Sequence, residues 1–340
     1  MLNHQQRLEQ FLASRDSTGE ITPLTADAST REYFRVQWKG TTAVACVYPE
    51  PFEAAEQTYL VVTKLFLAGG LPVAEVLDFD GEHGVIIQED LGDTILRDVI
   101  GDSEKPQRKR FRDEAISLIA RIQLLTPKAY EMNSIASRLK FDVEKLEWEL
   151  NYFKEHYFGT FLNKPLSAED DAQLSAEFHE LAVELESYAS VLCHRDFHLA
   201  NLMIDPQGQM RIIDHQDARI GSPAYDLVSL LLDRITELPS PEWLADKRAY
   251  FLDVRQRLGL SKIDEEEFAY EFRLQTIQRC LKAAGTFSYQ SAVRGKTHFI
   301  PFIKPMFGIS IRGATNLGRF PAIREILSRH LSEPPAVAGG

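Results

Sequence analysis

The feature that most constrains this chain is a short stretch in which two carboxylates and an amide sit at fixed offsets around a hairpin. Asp196 precedes Asn201 by five residues, and Asp214 closes the next apolar run. Asn201-Leu202-Met203-Ile204 and Met210-Arg211-Ile212-Ile213 read as two short strands. Asp205-Pro206-Gln207-Gly208 joins them, with Asp at i, Pro at i+1 and Gly at i+3 of a type I turn. A hairpin in this register brings Asn201 and Asp214 side by side, where an amide oxygen and a carboxylate can share a hard cation.

The spacing His194-Arg195-Asp196 through Asn201 is the H-R-D-x-x-x-x-N arrangement of kinase catalytic loops, followed by a strand ending in Asp. Phosphoryl transfer asks for an acceptor oxygen in line with the γ-phosphorus and for metal ions that neutralise the phosphate oxygens. Asp196 can orient the acceptor hydroxyl and take its proton. Asn201 can hold one magnesium through its amide oxygen, and Asp214 can bridge metal to the β- and γ-phosphates. His194 is read as structuring the loop, because Asp196 already suits the proton transfer. His198 fits either role, and Asp217 could join the metal shell or cap the adjacent loop.

With 340 residues there is room for two lobes with ample core. The net charge of -12 is spread along the chain and argues against a nucleic-acid partner, since phosphate backbones would be repelled. The most basic stretch, 105–112, reads as the solvated start of a helix. Cys46, Cys193 and Cys280 are far apart, so neither a disulfide framework nor a zinc site is expected. No signal-peptide pattern opens the sequence and no apolar run reaches membrane-spanning length, which places the expected protein in the cytoplasm, away from membranes.

Periodicity divides the chain into a β-rich first part and a helical remainder. A leading helix is expected over about 2–13. Strands over 33–38 and 42–48 flank a Lys39-Gly40 turn, and a helix opens near Pro51 and stops at Gly69-Gly70. Strands over 73–77 and 84–88 complete an antiparallel sheet with one helix, and 89–93 crosses to the next lobe. Helical patterns follow around 111–122, 141–153 and 172–188. A further helix opens at Ala224, and a long one runs from about Asp264 to Ala284, ending at Gly285. The final residues, 334–340, read as a disordered tail.

Taken together, these segments resemble the aminoglycoside phosphotransferase-like kinases, over nearly the whole chain. The catalytic loop 194–202, Ile213-Asp214, and Gly221-Ser222-Pro223-Ala224-Tyr225-Asp226-Leu227 carry the likeness. Segments 24–36, 88–93, 146–150 and 278–287 are similar to the cell-wall-recycling branch, the anomeric N-acetylmuramate/N-acetylglucosamine kinases. The resemblance implies an α+β, two-lobed protein-kinase-like fold. Residues 1–91 would form the nucleotide-binding lobe, and 92–333 the catalytic and acceptor-binding lobe. It also implies ATP and Mg2+ as cofactors and a small amino sugar as acceptor; it leaves the oligomeric state open. Adenine would bond to backbone around Glu89 to Leu91.

One departure from protein kinases is chemical. Their third strand carries a phosphate-holding Lys, and residues 43–48 here contain none. The Gly-rich loop is also replaced, by Ala28-Ser29-Thr30, whose N–H groups and hydroxyls could still cradle phosphate oxygens. Arg31 or Arg35 could supply the missing charge, or either could be a strand-edge arginine facing solvent. Asp226 is expected to be buried, accepting backbone N–H groups of the catalytic loop. For the acceptor, Glu147, Glu149 and His156 on one helix and Arg279 with Lys282 on another are candidates, and an acidic sugar favours the two cations. The expected activity is phosphorylation of the anomeric hydroxyl of N-acetylmuramate or N-acetylglucosamine. An aminoglycoside or amino-alcohol kinase is the alternative within enzymes. A nucleotide-binding pseudokinase is the alternative outside them, motivated by the absent Lys.

Overall fold

The structure is a computed structural model describing residues 3–24, 30–101 and 105–332; Ala28, Ser29 and the 334–340 tail lie outside the described residues. It divides into two compact units. One comprises Met1–Arg108, Lys128–Ile135 and Leu199–Ala218, and the other Lys109–Pro127, Ala136–His198 and Arg219–Gly340.

The first unit is built on a five-stranded antiparallel sheet of order β1-β2-β3-β5-β4, formed by β1 (Ile21–Leu24), β2 (Glu32–Trp38), β3 (Thr41–Val47), β4 (Val76–Asp80) and β5 (Val85–Glu89). Alternation along the strands sends successive side chains to opposite faces. Phe34, Val36, Trp38, Ala43, Ala45, Val47, Val85 and Ile87 cover one face and pack with Leu8, Phe11 and Leu12 of the leading helix His4–Ser14. Each of the larger side chains contributes about 1.5–3 kcal/mol by leaving water. Cys46, Tyr59 and Ile86, flanked by Tyr33, Tyr48 and Leu60, line the opposite face near helix Thr58–Ala68. The β2–β3 turn is tight because Lys39 and Gly40 both take left-handed φ, 48° and 88°.

Three sequence expectations shift here. Helix Thr58–Ala68 starts at Gln57, not near Pro51, because the backbone of Phe52 is held by Gly81 O at 2.9 Å. The strand expected over 73–77 begins at Val76. Val73 instead bridges to Ile212, and Pro72 O accepts Ile212 N at 2.8 Å. β1 had no counterpart in the pattern, since Pro23 weakens the strand signal and is tolerated only on a sheet edge.

The hairpin read from sequence is present in this unit as β7 (Leu202–Ile204) and β8 (Met210–Ile212), which follow strand β6 (Val191–Cys193) in the chain. Its turn closes with Gly208 N donating to Asp205 O at 2.8 Å, and Asp205 Oδ1 accepts the N–H groups of Gln207 and Gln209.

The second unit is helical, with one small antiparallel pair, β6 (Val191–Cys193) against β9 (Arg219–Gly221). Its axis is helix Glu265–Ala292, buried on nearly all sides from Leu274 to Ala284, as a central helix must be. The sequence pattern stops this helix at Gly285, but it runs on through that residue. A Cβ at Gly285 would stand 2.7 Å from Phe153 Cα, so the glycine permits close contact with helix Val143–Phe153 and is not a cap. That helix continues directly into a π-helical turn, Lys154–Phe161.

Candidate active site

The first unit carries the oxygen pair expected for a metal. Ile213 N donates to Asn201 O at 3.1 Å, which seats Asn201 beside the end of β8. Asn201 Nδ2 stands 3.4 Å from Asp214 Oδ2, and Gln216 Nε2 donates to Asp214 Oδ1 at 2.8 Å. Asp214 adopts φ 62°, an uncommon conformation for a non-glycine residue, and its side chain is 43% exposed. A half-turn of the Asn201 amide brings its oxygen next to this open carboxylate. Magnesium takes few protein ligands and completes its shell with phosphate and water, so the donor set fits that ion. Among the described residues, no group of three or more His, Cys, Asp or Glu side chains offers another metal site. Asp217 is half-buried three residues further on. His215 lies between the rings of Tyr59 and Phe66, with Nε2 2.7 Å from Thr63 Oγ1.

The two arginines considered for the missing lysine have different surroundings. Arg35 is forked onto Asp90 (2.8 and 3.1 Å) and onto Asp93 (2.9 and 3.2 Å). Arg31 lies over the rings of Tyr33 and Tyr48 and reaches Asp214, Nη2 to Oδ1 3.5 Å. Thr30 is exposed in the bend just before it. Of the hinge candidates, Leu91 is buried, and the Glu89 carboxylate is taken by Arg211 of β8 at 2.9 and 2.5 Å.

In the second unit the loop around Asp196 is pinned from behind. Asp226, fully buried, accepts His194 N at 2.7 Å and Arg195 N at 3.0 Å, and Arg195 is held at φ 87°. Burial pushes the Asp226 carboxyl up to about 6, against the pull of His194 and these two N–H donors. His194 is fully buried, edge-on to Phe197. The His198 ring is held below its ordinary value by burial, which outweighs Asp233 and Asp196.

Asp196 itself accepts from Lys282 Nζ at 3.0 Å and Arg279 Nη2 at 3.3 Å, with Arg195 Nε 3.8 Å away. Burial would raise its pKa, but Lys282, Arg279 and Arg195 outweigh it and hold the carboxyl well below the usual range. Arg279 is tied in turn to Ser229 Oγ at 3.1 Å. Burial lowers the Lys282 ammonium, with Asp196 opposing.

Glu149 is fully buried, accepting from Gln278 Nε2 at 2.9 Å, with Arg195 Nη2 at 4.0 Å. Glu147 pairs with exposed His179 at 2.6 Å instead. Sequence reasoning missed Arg195, Gln278 and an aromatic row on the same helices. Trp148 is half-exposed, its ring 5.6 Å from Tyr152, and Lys145 Nζ lies 3.8 Å over it. Tyr152 and His156 both meet Tyr289 of the long helix, at 6.1 and 4.9 Å. The signal was available, because Trp148, Tyr152 and His156 recur every four residues along one helical face.

A model described as the phosphotransferase enzyme family matches residues 20–260, and the chain belongs to that family. The N-acetylmuramate/N-acetylglucosamine kinase of Neisseria meningitidis is 30% identical over 286 residues, covering 84% of this chain and 82% of its own. The kinase of the same name from Pseudomonas aeruginosa is 26% identical over 289 residues, covering 85% and 82%. An ADP-bound aminoglycoside phosphotransferase structure aligns at a TM-score of 0.55 with 14% identity, over 92% of this chain and 99% of that one. The α+β protein-kinase-like architecture expected from the sequence is therefore shared with solved members of the class. Among the described residues, no helix is long and apolar enough to cross a membrane.

Proposed function

We propose that this phosphotransferase acts in the cytoplasm on an N-acetylated amino sugar, moving the γ-phosphoryl group of ATP to the anomeric hydroxyl of N-acetylmuramate, N-acetylglucosamine or both. The observation that carries the reading is the set of cations gathered on Asp196: Lys282, Arg279 and Arg195. Such a cluster suits an acceptor bearing a carboxylate, as N-acetylmuramate does, and repels polycationic aminoglycosides. The names of the curated relatives support the same substrate.

Magnesium and ATP, when bound, supply the phosphoryl group and the charge that neutralises its oxygens. Asn201 and Asp214 would hold the metal, and Arg31 would take the role of the absent strand lysine. Asp196 orients the acceptor hydroxyl. Its cation partners make it a weak base, so it collects the proton late, as a loose transition state requires. Lys282 and Arg279 fix the carboxylate's direction, and Asp226 fixes the backbone that presents it. Trp148 and Tyr152 offer ring faces on which the apolar side of a pyranose can rest.

The test is an ATP-consumption screen over free amino sugars, aminoglycosides and amino alcohols, with the methyl glycoside of N-acetylglucosamine as control. The free sugar should react, giving a phosphate coupled to the anomeric carbon in phosphorus NMR. The methyl glycoside has that oxygen blocked and should be inert. Its phosphorylation at a similar rate would remove the anomeric assignment while leaving the kinase intact.

A further inference from the structure

The second unit holds three arginines in a cavity distinct from the Asp196 cluster. Helices Pro241–Arg257, Glu265–Ala292 and Ile303–Leu317 line a half-open pocket of about 70 Å3, with Arg248, Arg273 and Arg312 contributed one from each. Leu244, Phe272 and Ile309 give it an apolar floor. Acidic residues outnumber basic ones in this chain, 50 to 38, and other arginines fork onto carboxylates, as Arg35 and Arg211 do. These three do not: among the described residues no carboxylate lies within ion-pair distance of any of them.

One donor of this set is left unpaired within the protein. Arg312 Nη1 donates to Pro239 O at 2.7 Å, but its Nη2 is enclosed without a hydrogen-bond partner. Arg248 lies over the Phe272 ring, 5.3 Å from the centroid. Burial holds Arg248 below its ordinary value, and Arg273 adds to that, opposed by Glu265. Burial lowers Arg312 likewise, opposed by Glu242 at longer range. Three like charges kept together, two of them partly desolvated, are unfavourable unless an anion joins them.

We infer that this cavity binds a phosphate dianion, either inorganic phosphate or the phosphate of a small ester seated on the apolar floor. Guanidinium forks match the oxygen geometry of phosphate bidentately. A monoanionic carboxylate would leave two of the three charges uncompensated. The inorganic form requires nothing from the reaction proposed above. The ester arm rests on that reading, because a sugar 1-phosphate is its product.

The test is calorimetric titration of the full chain, its catalytic site saturated with magnesium and a non-hydrolysable ATP analogue, at constant ionic strength. Inorganic phosphate, N-acetylglucosamine 1-phosphate and acetate are the probes. One phosphate site is expected in the wild type and none in Arg248→Gln/Arg312→Gln, with acetate silent. Phosphate at ten times its dissociation constant should raise the wild-type Tm by about 2 °C and leave the variant's unchanged. Without phosphate the variant should melt no lower than wild type, because repulsion has been removed. Should the double variant fold poorly, Arg273→Gln carries the same expectation. Tighter binding of the ester than of inorganic phosphate would identify the product as the ligand, and equal binding would identify phosphate itself. No phosphate site in the wild type, an undiminished one in the variants, or equal binding of acetate would overturn the inference. A chain that binds phosphate here yet phosphorylates no amino sugar would refute only the substrate reading.

Discussion

Glu271 is the most informative place to perturb the support of the catalytic loop. It is 2% exposed, and a single oxygen, Oε1, accepts from the Ser222 hydroxyl and from Ala224 N at 2.9 Å. It thereby fixes the turn that leads into Asp226, which in turn holds His194 and Arg195. Burial is the largest influence on its carboxyl, opposed by those two donors and Arg255 and reinforced by Glu267, and pushes it from 4.5 up to about 7. A raised folded-state pKa means that the stabilisation is complete below about 4.5 and is lost as pH rises through about 7. At about 1.36 kcal/mol per unit, the loss slightly exceeds about 3 kcal/mol. Glu271→Gln keeps an oxygen for both bonds and cannot ionise. The expected outcome is equal stability of variant and wild type near pH 4 and a variant more stable by about 3 kcal/mol at pH 8. Urea unfolding followed by circular dichroism at half-unit pH steps measures it. The variant should keep some decline of its own, because burial also raises Asp226, from 3.8 to about 6. Parallel stability curves between pH 5 and 8 would refute the buried-carboxyl argument. A variant weaker at every pH would show that Oε2 accepts a bond the amide cannot.

Asp196→Asn should fold and bind nucleotide normally while turnover falls about 10²–10⁴-fold, measured by coupled ATP consumption; near-normal turnover would exclude it from the chemistry. Arg31→Ala should raise the KM for ATP with a smaller change for the sugar, whereas Arg35→Ala should leave ATP kinetics alone and lower Tm, since Arg35 serves Asp90 and Asp93. Lys282→Met should lower kcat/KM for N-acetylmuramate more than for uncharged N-acetylglucosamine, and equal losses would mean that Lys282 serves only Asp196. Gly285→Ala should lower stability by about 1–3 kcal/mol on thermal melting, the usual cost of overpacking, because its Cβ would meet the Phe153 backbone at 2.7 Å.

What could be read from the chain and what could not differ in range along it. The Asp205–Gly208 turn and the Lys39-Gly40 turn are settled within a few residues, by a proline's fixed φ and by the left-handed conformations a two-residue turn demands. The sheet's alternation is local in the same sense, and so is the helical spacing of Phe111 to Ile122. Gly285 looked like a stop for an equally local reason, since a glycine costs helix stability. Its function is set by Phe153, which lies 132 positions earlier and leaves no mark nearby. The setting of Asp196 is likewise non-local. Its position in the loop follows from a nine-residue pattern, but its charge state depends on Lys282 and Arg279, more than eighty residues downstream. Only the packing of helix Glu265–Ala292 within the second unit brings those cations to it. Spacing within a loop therefore identified the reaction class, whereas choosing the acceptor requires the side chains contributed by distant helices.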